Sequence, residues 1–332
     1  MLIVTALLAF APDRPHPLAP APHPARGWSA RHVFAHKAPV RAVAATADGY
    51  ATGDSAGVLL LWDAKTGVVR ETLLDGTAET LKPTTAVGLA PDGKRLSVVA
   101  NGSSCQITID GKDRTFHGPN PLWTVVALAA DGSWLATPRF VQPDLGGAEM
   151  LHVMVQEFAQ NSISSRFPHR IRHPAAVRLA ALARGFVSSV DVNGAVRGWK
   201  FQADQLIERE AWSVDFKRLG PTALAVSPDG TLVAVAGETG VVEILSARRG
   251  ESVAALKGHA GAVRSVAFAP DSGLIATGGD DGTVRLWNPW SGAQEELLEG
   301  HSGPVAGVWF ASDDVLLSAS DDKTARVWVY KP

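Results

Sequence analysis

From Val263 to Phe268 the chain alternates apolar and polar positions, turns at Pro270-Asp271-Ser272, and returns from Leu274 to Gly278. A third short run, Thr283 to Trp287, and a fourth around Glu295 to Leu298 follow before the next Gly-His pair at Gly300-His301. Period-two alternation broken every few residues by Gly, Pro, Asp or Ser marks short strands joined by tight turns. This stretch therefore predicts one four-stranded antiparallel sheet.

The unit recurs. His259 and His301 stand 42 residues apart and Trp287 and Trp328 stand 41 apart, so two landmarks advance together. His173 and Trp199 lie 86 and 88 residues before His259 and Trp287, and His36 and Trp62 lie a further 137 upstream. Turns between first and second strands fall at Asp48-Gly49, Asp92-Gly93, Asp131-Gly132, Arg184-Gly185, Asp229-Gly230, Asp271-Ser272 and Asp313-Asp314. Self-similarity at such a period means a repeat architecture. Seven turns predict seven repeats.

Gly258-His259, Asp281-Gly282-Thr283 and Leu286-Trp287, with their counterparts in the last repeat, resemble the WD-repeat family of β-propellers. The resemblance spans about residues 29 to 332, is strongest in repeats six and seven, good in one and four, and weak in two, three and five. It implies an all-β, seven-bladed propeller of four-stranded antiparallel blades. The chain ends just after the third strand of the last repeat, and Val33 precedes His36 by three residues, as Leu256 and Leu298 precede His259 and His301. Ser29 to Phe34 is thus expected to pair with Thr324 to Tyr330, completing the last blade and removing an open sheet edge.

The family also implies a side-chain hydrogen-bond chain within each blade. It runs from Trp287 through Thr277 and His259 to Asp281, and from Trp328 through Ser318 and His301 to Asp322. Repeat four carries His173, Ser189, Asn193 and Trp199, with Asn in the acid's place. Repeat one carries His36, Thr52 and Trp62, with Ala56 in the acid's place and Asp54 or Ser55 as the substitute. Repeat five has Thr239 and Leu245 at the acid and Trp positions. Decay of the set predicts softer blades two, three and five.

Ser, His and Asp together invite a hydrolytic reading, but a catalytic triad is needed once, whereas these sets recur with a Trp at blade spacing. Gly53-Asp54-Ser55-Ala56-Gly57 matches a nucleophile elbow, which demands strand, turn and helix. The apolar run Val58 to Trp62 that follows reads as a strand. No phosphate-binding loop, H-E-x-x-H or calcium-loop pattern occurs, and neither cofactor nor metal is expected. Asn101-Gly102-Ser103 reads as a tight turn.

Composition narrows the class of partner. A net charge of −2 and a pI near 6.6 leave no polycationic footprint for nucleic acid. The single cysteine, Cys105, excludes an internal disulfide. Leu2 to Phe10 is an apolar run too short to span a bilayer and of signal-peptide length, so export and retention in the cytoplasm both stay open. Residues 12–28, rich in Pro, Ala and His, read as a tether, so the division is 1–11, 12–28 and 29–332.

In the family, the loops before the first strand and those between the second and third share one face, where partners commonly bind. Arg41, Arg178 and Arg264 each stand five residues after a blade histidine, and Asp280, Asp321 and Glu238 rise from the same face. The arginines either converge on a carboxylate or phosphate, for which guanidinium is suited, or are neutralised by the acids. A long insertion, Pro138 to Met150, with Phe140 and Val141, is a second candidate contact. Arg166, His169, Arg170 and Arg172 form a basic outer edge of the third repeat, suited to preventing strand addition. The expected function is a non-catalytic, monomeric scaffold binding a protein or peptide on that face. The alternative is a ligand-binding or enzymatic propeller holding an anionic small molecule at an Arg-lined channel mouth.

Overall fold

The computed structural model describes residues 27–45, 49–76, 84–89, 95–100, 103–108, 114–117, 127–128, 135–139, 150–154, 168–172, 175, 177–183, 186–200 and 210–331. Strand β1 (Trp28–Ala35) is followed by a first meander, β2 (Val40–Ala45), β3 (Gly49–Asp54), β4 (Val58–Asp63) and β5 (Val69–Asp75). The second comprises β6 (Thr84–Leu89), β7 (Arg95–Ala100), β8 (Ser103–Thr108) and β9 (Arg114–His117). The third comprises β10 (Ala127–Leu128), β11 (Leu135–Arg139), β12 (Met150–Met154) and β13 (Pro168–Arg172). The fourth comprises β14 (Val177–Ala183), β15 (Phe186–Asp191), β16 (Ala195–Lys200) and β17 (Glu210–Asp215). The fifth comprises β18 (Pro221–Val226), β19 (Leu232–Gly237), β20 (Val241–Ser246) and β21 (Ser252–Lys257). The sixth comprises β22 (Val263–Phe268), β23 (Ile275–Gly279), β24 (Val284–Trp287) and β25 (Gln294–Leu298). The last run is β26 (Val305–Ser312), β27 (Val315–Ser320) and β28 (Thr324–Tyr330).

Among the described residues these strands form seven four-stranded antiparallel sheets. Six are simple meanders. The seventh has the order β1-β28-β27-β26, so its fourth strand comes from the other end of the sequence. Trp28 lies opposite Tyr330 and Ala35 opposite Thr324. The strand starts at Trp28, one residue inside the stretch read as a tether, and Lys331 donates its N–H to the Gly27 carbonyl. The first strands β14, β18, β22 and β26 pack side by side in sequence order, and β26 packs against β2, which packs against β6.

The core is distributed between successive sheets rather than gathered at one centre. Leu274, Val284 and Leu286 of the sixth sheet meet Val305, Phe310 and Trp328 of the seventh. Phe34, Leu317 and Val327 of the seventh meet Val43, Tyr50 and Trp62 of the first. Second strands lie inside this stack, so β3, β15, β19 and β23 are buried along their whole length. Only small or apolar residues and a few paired polar ones fit there, as in Ile275-Ala276-Thr277-Gly278-Gly279. A side chain on Gly278 would press its Cβ to within 2.5 Å of Val305 in the next sheet. Strand β1 spans two sheets, since its backbone pairs with β28 while Phe34 stacks on Trp62 at 4.4 Å between centroids.

Candidate functional site

In the sixth sheet the Trp287 indole N–H donates to Thr277 Oγ1 at 2.8 Å, and Thr277 Oγ1 lies 2.7 Å from His259 Nε2. His259 Nδ1 lies 3.0 Å from both carboxylate oxygens of Asp281. A carboxylate only accepts, so Nδ1 carries the proton and Nε2 accepts from the threonine hydroxyl. The seventh sheet repeats this with Trp328, Ser318, His301 and Asp322, at 2.9, 2.7 and 2.9 Å. Each acid also fastens its turn. Asp281 accepts the N–H of Ala260 and Thr283, both at 3.0 Å, and Asp322 accepts those of Ser302 and Thr324, at 3.0 and 2.9 Å.

The electrostatics follow from this pairing. Burial holds the imidazoles of His259 and His301 below their usual range, although the bonds to Asp281 and Asp322 pull the other way. Burial alone would raise both carboxyls. It is outweighed at Asp281 by the Ala260 N–H, the Thr283 hydroxyl and N–H and His259, and at Asp322 by the Thr324 hydroxyl, His301 and the Ser302 N–H, so each falls to about 2. Histidine side chains at 1% exposure, neutral and bonded on both nitrogens, are struts. They have no face turned to a substrate.

The first and fourth sheets place the acid elsewhere. Asp54, not Ser55, bonds His36: its Oδ2 is 3.1 Å from Nδ1, while Nε2 lies 2.7 Å from Thr52 Oγ1, to which Trp62 donates at 2.7 Å. Asp54 Oδ1 accepts the N–H of Ala56 and Val58 at 2.9 and 3.0 Å. In the fourth sheet Asn193 does not take the acid's part. It is exposed, and the acid is Asp191, whose Oδ1 accepts the N–H of Asn193 and Ala195 at 2.9 and 3.0 Å. Ser189 and Trp199 are buried there; His173 lies outside the described residues. Asp54 and Asp191 sit eight residues before the tryptophan, whereas Asp281 and Asp322 sit six before it. The two solutions exclude each other in the sixth sheet. A Cβ on Gly279, at the earlier position, would stand 2.4 Å from His259 Nδ1.

All six first strands apart from β10 carry one extra residue at the same place. Val263 pairs with Gly279 and Ser265 with Gly278, leaving Arg264 without a ladder partner. The same skip isolates Arg41, Thr85, Arg178, Thr222 and Ala306. A bulge of this kind re-aims a side chain out of the sheet. This bulge end is also where second and third strands turn, since Val40 pairs with Asp54 and Val177 with Asp191. Four of the charged candidates meet here. Arg264 pairs with Asp280, Arg264 Nη1 lies 3.9 Å from Asp321, and Arg41 Nη1 lies 2.7 Å from Asp321. Asp280, Arg264, Asp321 and Arg41 thus form an alternating string across the sixth, seventh and first sheets. Arg178 is exposed and takes no part in it. Glu238 is exposed, with its carboxylate over Gly220.

One device between sheets escaped the sequence reading. Trp212, on the outer strand of the fourth sheet, donates its indole N–H to Ala247 O of the fifth at 2.8 Å and lies flat over Gly250. His32, on the outer strand of the seventh, bonds Ala64 O of the first at 3.2 Å and lies over Gly67. Ala64 and Ala247 follow Trp62 and Leu245 by two residues, and Gly67 and Gly250 follow them by five. Both glycines have φ near +70°, a conformation that costs glycine least. Leu245, in the place of a tryptophan, is fully buried in the cluster that Trp212 completes. A glycine five after the tryptophan was the signal available.

The remaining candidates fall as follows. Ser55 lies between two strands, β3 and β4, so the elbow's helix is missing and the segment is a glycine-containing turn. Ala100 pairs with Ser103, and Asn101-Gly102 lies outside the described residues. Pro138 and Arg139 belong to β11 and Met150 to β12, which shortens the insertion to 140–149. Phe140 and Val141 lie outside the described residues, as does Arg166. His169, Arg170 and Arg172 are in β13, the outer strand of the third sheet. Among the described residues no group of three His, Cys, Asp or Glu side chains could hold a metal ion, and no helix is long and apolar enough to cross a membrane.

An all-β chain of four-stranded sheets, of which the first, sixth and seventh each enclose a His, a hydroxyl, a Trp and an acid, is of the propeller-like repeat class. Residues 250–288 and 292–329 match the family model of the WD domain, G-beta repeat. These stretches contain most of the sixth and seventh sheets and support a WD-repeat family. A comparison with curated proteins returns no match. Repeats of this family are in general platforms for protein interaction.

Proposed function

We propose that the seven sheets are the blades of one ring, closed where β1 completes the seventh, and that the ring is a non-catalytic, monomeric platform for a protein or peptide partner at its bulge end. Closure is supported by the pairing of β1 with β28 and by the packing of β26 against β2. The observation that carries the functional reading is the contrast between the two polar sets. The His and Asp groups are sealed inside sheets with side-chain exposure of 1% for each histidine, whereas the re-aimed bulge residues Arg178 and Arg264 reach solvent. What the chain offers outward is a patterned rim. An anionic small molecule held by three converging arginines is the weaker reading, because Asp280 and Asp321 already face Arg264 and Arg41.

Proximity labelling in cells tests the proposal. Labelled neighbours should be lost on combined Arg41→Ala, Arg178→Ala and Arg264→Ala substitution across the bulge end and kept on Asp229→Asn with Asp271→Asn at the opposite turns. The same neighbours persisting through the bulge-end change would overturn it.

A further inference from the structure

Resting on the bulge end as the binding face, we infer that the docking ground lies over the fourth and fifth sheets and takes an acidic peptide segment with an aliphatic side chain among its carboxylates. The argument is one of register. In the sixth sheet Val263 pairs with Gly279, and the next residue, Asp280, meets the bulge residue Arg264. In the fourth sheet Val177 pairs with Asp191, and the next residue is Val192, beside the bulge residue Arg178. Where the sixth sheet has a carboxylate, the fourth has an isopropyl group, 56% exposed. Arg178 is exposed and has no acidic partner among the described residues.

The fifth sheet extends this ground. The turn after Val192 abuts the chain leading into β18: the Phe216 N–H donates to Gly194 O at 3.0 Å, and a Cβ on Gly194 would stand 2.8 Å from the Lys217 Cα. Lys217 and Arg218 are exposed and make no ion pair among the described residues. Of the nearby acids, Asp215 accepts the Lys217 backbone N–H at 2.8 Å, and Glu238 lies over Gly220. Three cations thus stand against two acids around a bare valine. The sixth, seventh and first sheets contrast with this, because their two arginines and two aspartates alternate and cancel. An unpaired guanidinium is free to take a carboxylate in bidentate fashion, and an exposed valine gains by leaving water. A segment presenting both features matches both at once.

The experiment pans a library of random linear peptides over the immobilised full chain and measures the enriched peptides by fluorescence anisotropy. The inference expects peptides rich in Asp or Glu next to Leu, Ile or Val. Their affinity should fall about tenfold or more with Arg178→Glu and fall again with Val192→Ser, both variants melting like the parent. A Glu→Lys version of the peptide should recover binding to the Arg178→Glu chain. Enriched peptides without acids, or insensitive to both variants, overturn the inference and leave the platform standing. No enrichment over a bare surface overturns the platform and the inference with it.

Discussion

The sixth and seventh sheets hold their histidines with an aspartate on the turn, whereas the first, and in the same backbone position the fourth, use an aspartate that ends the second strand. The requirement common to both is not an acid at a fixed place. It is an acceptor that reaches two backbone N–H groups, both of the turn in the first and fourth sheets, one of the turn and one of the residue after the histidine in the sixth and seventh, and, where a histidine is described, its Nδ1. Arginines on the third strand serve either design, with Arg285 at 3.6 Å from Asp281 and Arg197 at 3.6 Å from Asp191. The acid of a buried hydrogen-bond set can therefore move by two residues while the histidine, the hydroxyl and the tryptophan stay still and one backbone donor is exchanged for another.

The harshest way to break the comparison is to remove β1, which pairs in the seventh sheet and packs into the first. Deleting residues 1–35 should cost more than the ~3–5 kcal/mol expected for Phe34 alone, and deleting 1–26 should leave the melting temperature unchanged. Equal melting of the two truncations would remove the idea that β1 joins the ends. Next, Trp287→Ala and Trp62→Ala should each destabilise by about 3–5 kcal/mol in denaturant titrations. A much smaller loss for Trp62 would mean that the displaced acid supports a weaker set.

Moving the acid tests the equivalence directly. Asp54→Gly leaves the N–H groups of Ala56 and Val58 and the His36 ring without their acceptor, at a cost of about 1–3 kcal/mol for such a group. Adding Ala56→Asp should restore most of this, as in the sixth sheet. A double variant no more stable than the single one would show that the two designs are not interchangeable. Acid should then dissolve the sets in two stages. His36, His259 and His301 have native affinities for protons below the unfolded 6.5, so their stabilising effect is whole above 6.5 and fades as pH falls past it. Asp281 and Asp322 are depressed from 3.8 to about 2, so theirs is whole above 3.8 and fades between there and about 2. Melting against pH with Asp281→Asn as the comparison reads this out. The smallest effect is at the rim: Arg41→Ala should cost about 1 kcal/mol or less and vanish in high salt, because its ion pair with Asp321 is partly exposed.

How much of this was legible depended on whether a feature repeats. The strands of the sixth unit fall within a residue or so of the alternation in the sequence, and the partner of Thr324 to Tyr330 was visible in Val33 standing three before His36. Asn193 misled because alignment by spacing assumes that like positions do like work, and Asp191 was two residues away. The pairing of Arg41 with Asp321 joins opposite ends of the chain, and only the placement of neighbouring sheets reveals it. Trp212 over Gly250 and His32 over Gly67 were hidden for the same reason, since each joins a ring from one sheet to a turn of another.

The skipped residue in six of the inner strands has one more consequence. Since Arg41, Arg178 and Arg264 answer to no opposite number in the ladder, a change of side chain at any of them leaves the register of its sheet as it is. Under the proposed reading of this end as the docking face, what it recognises can be rewritten one letter at a time without recasting the sheet beneath.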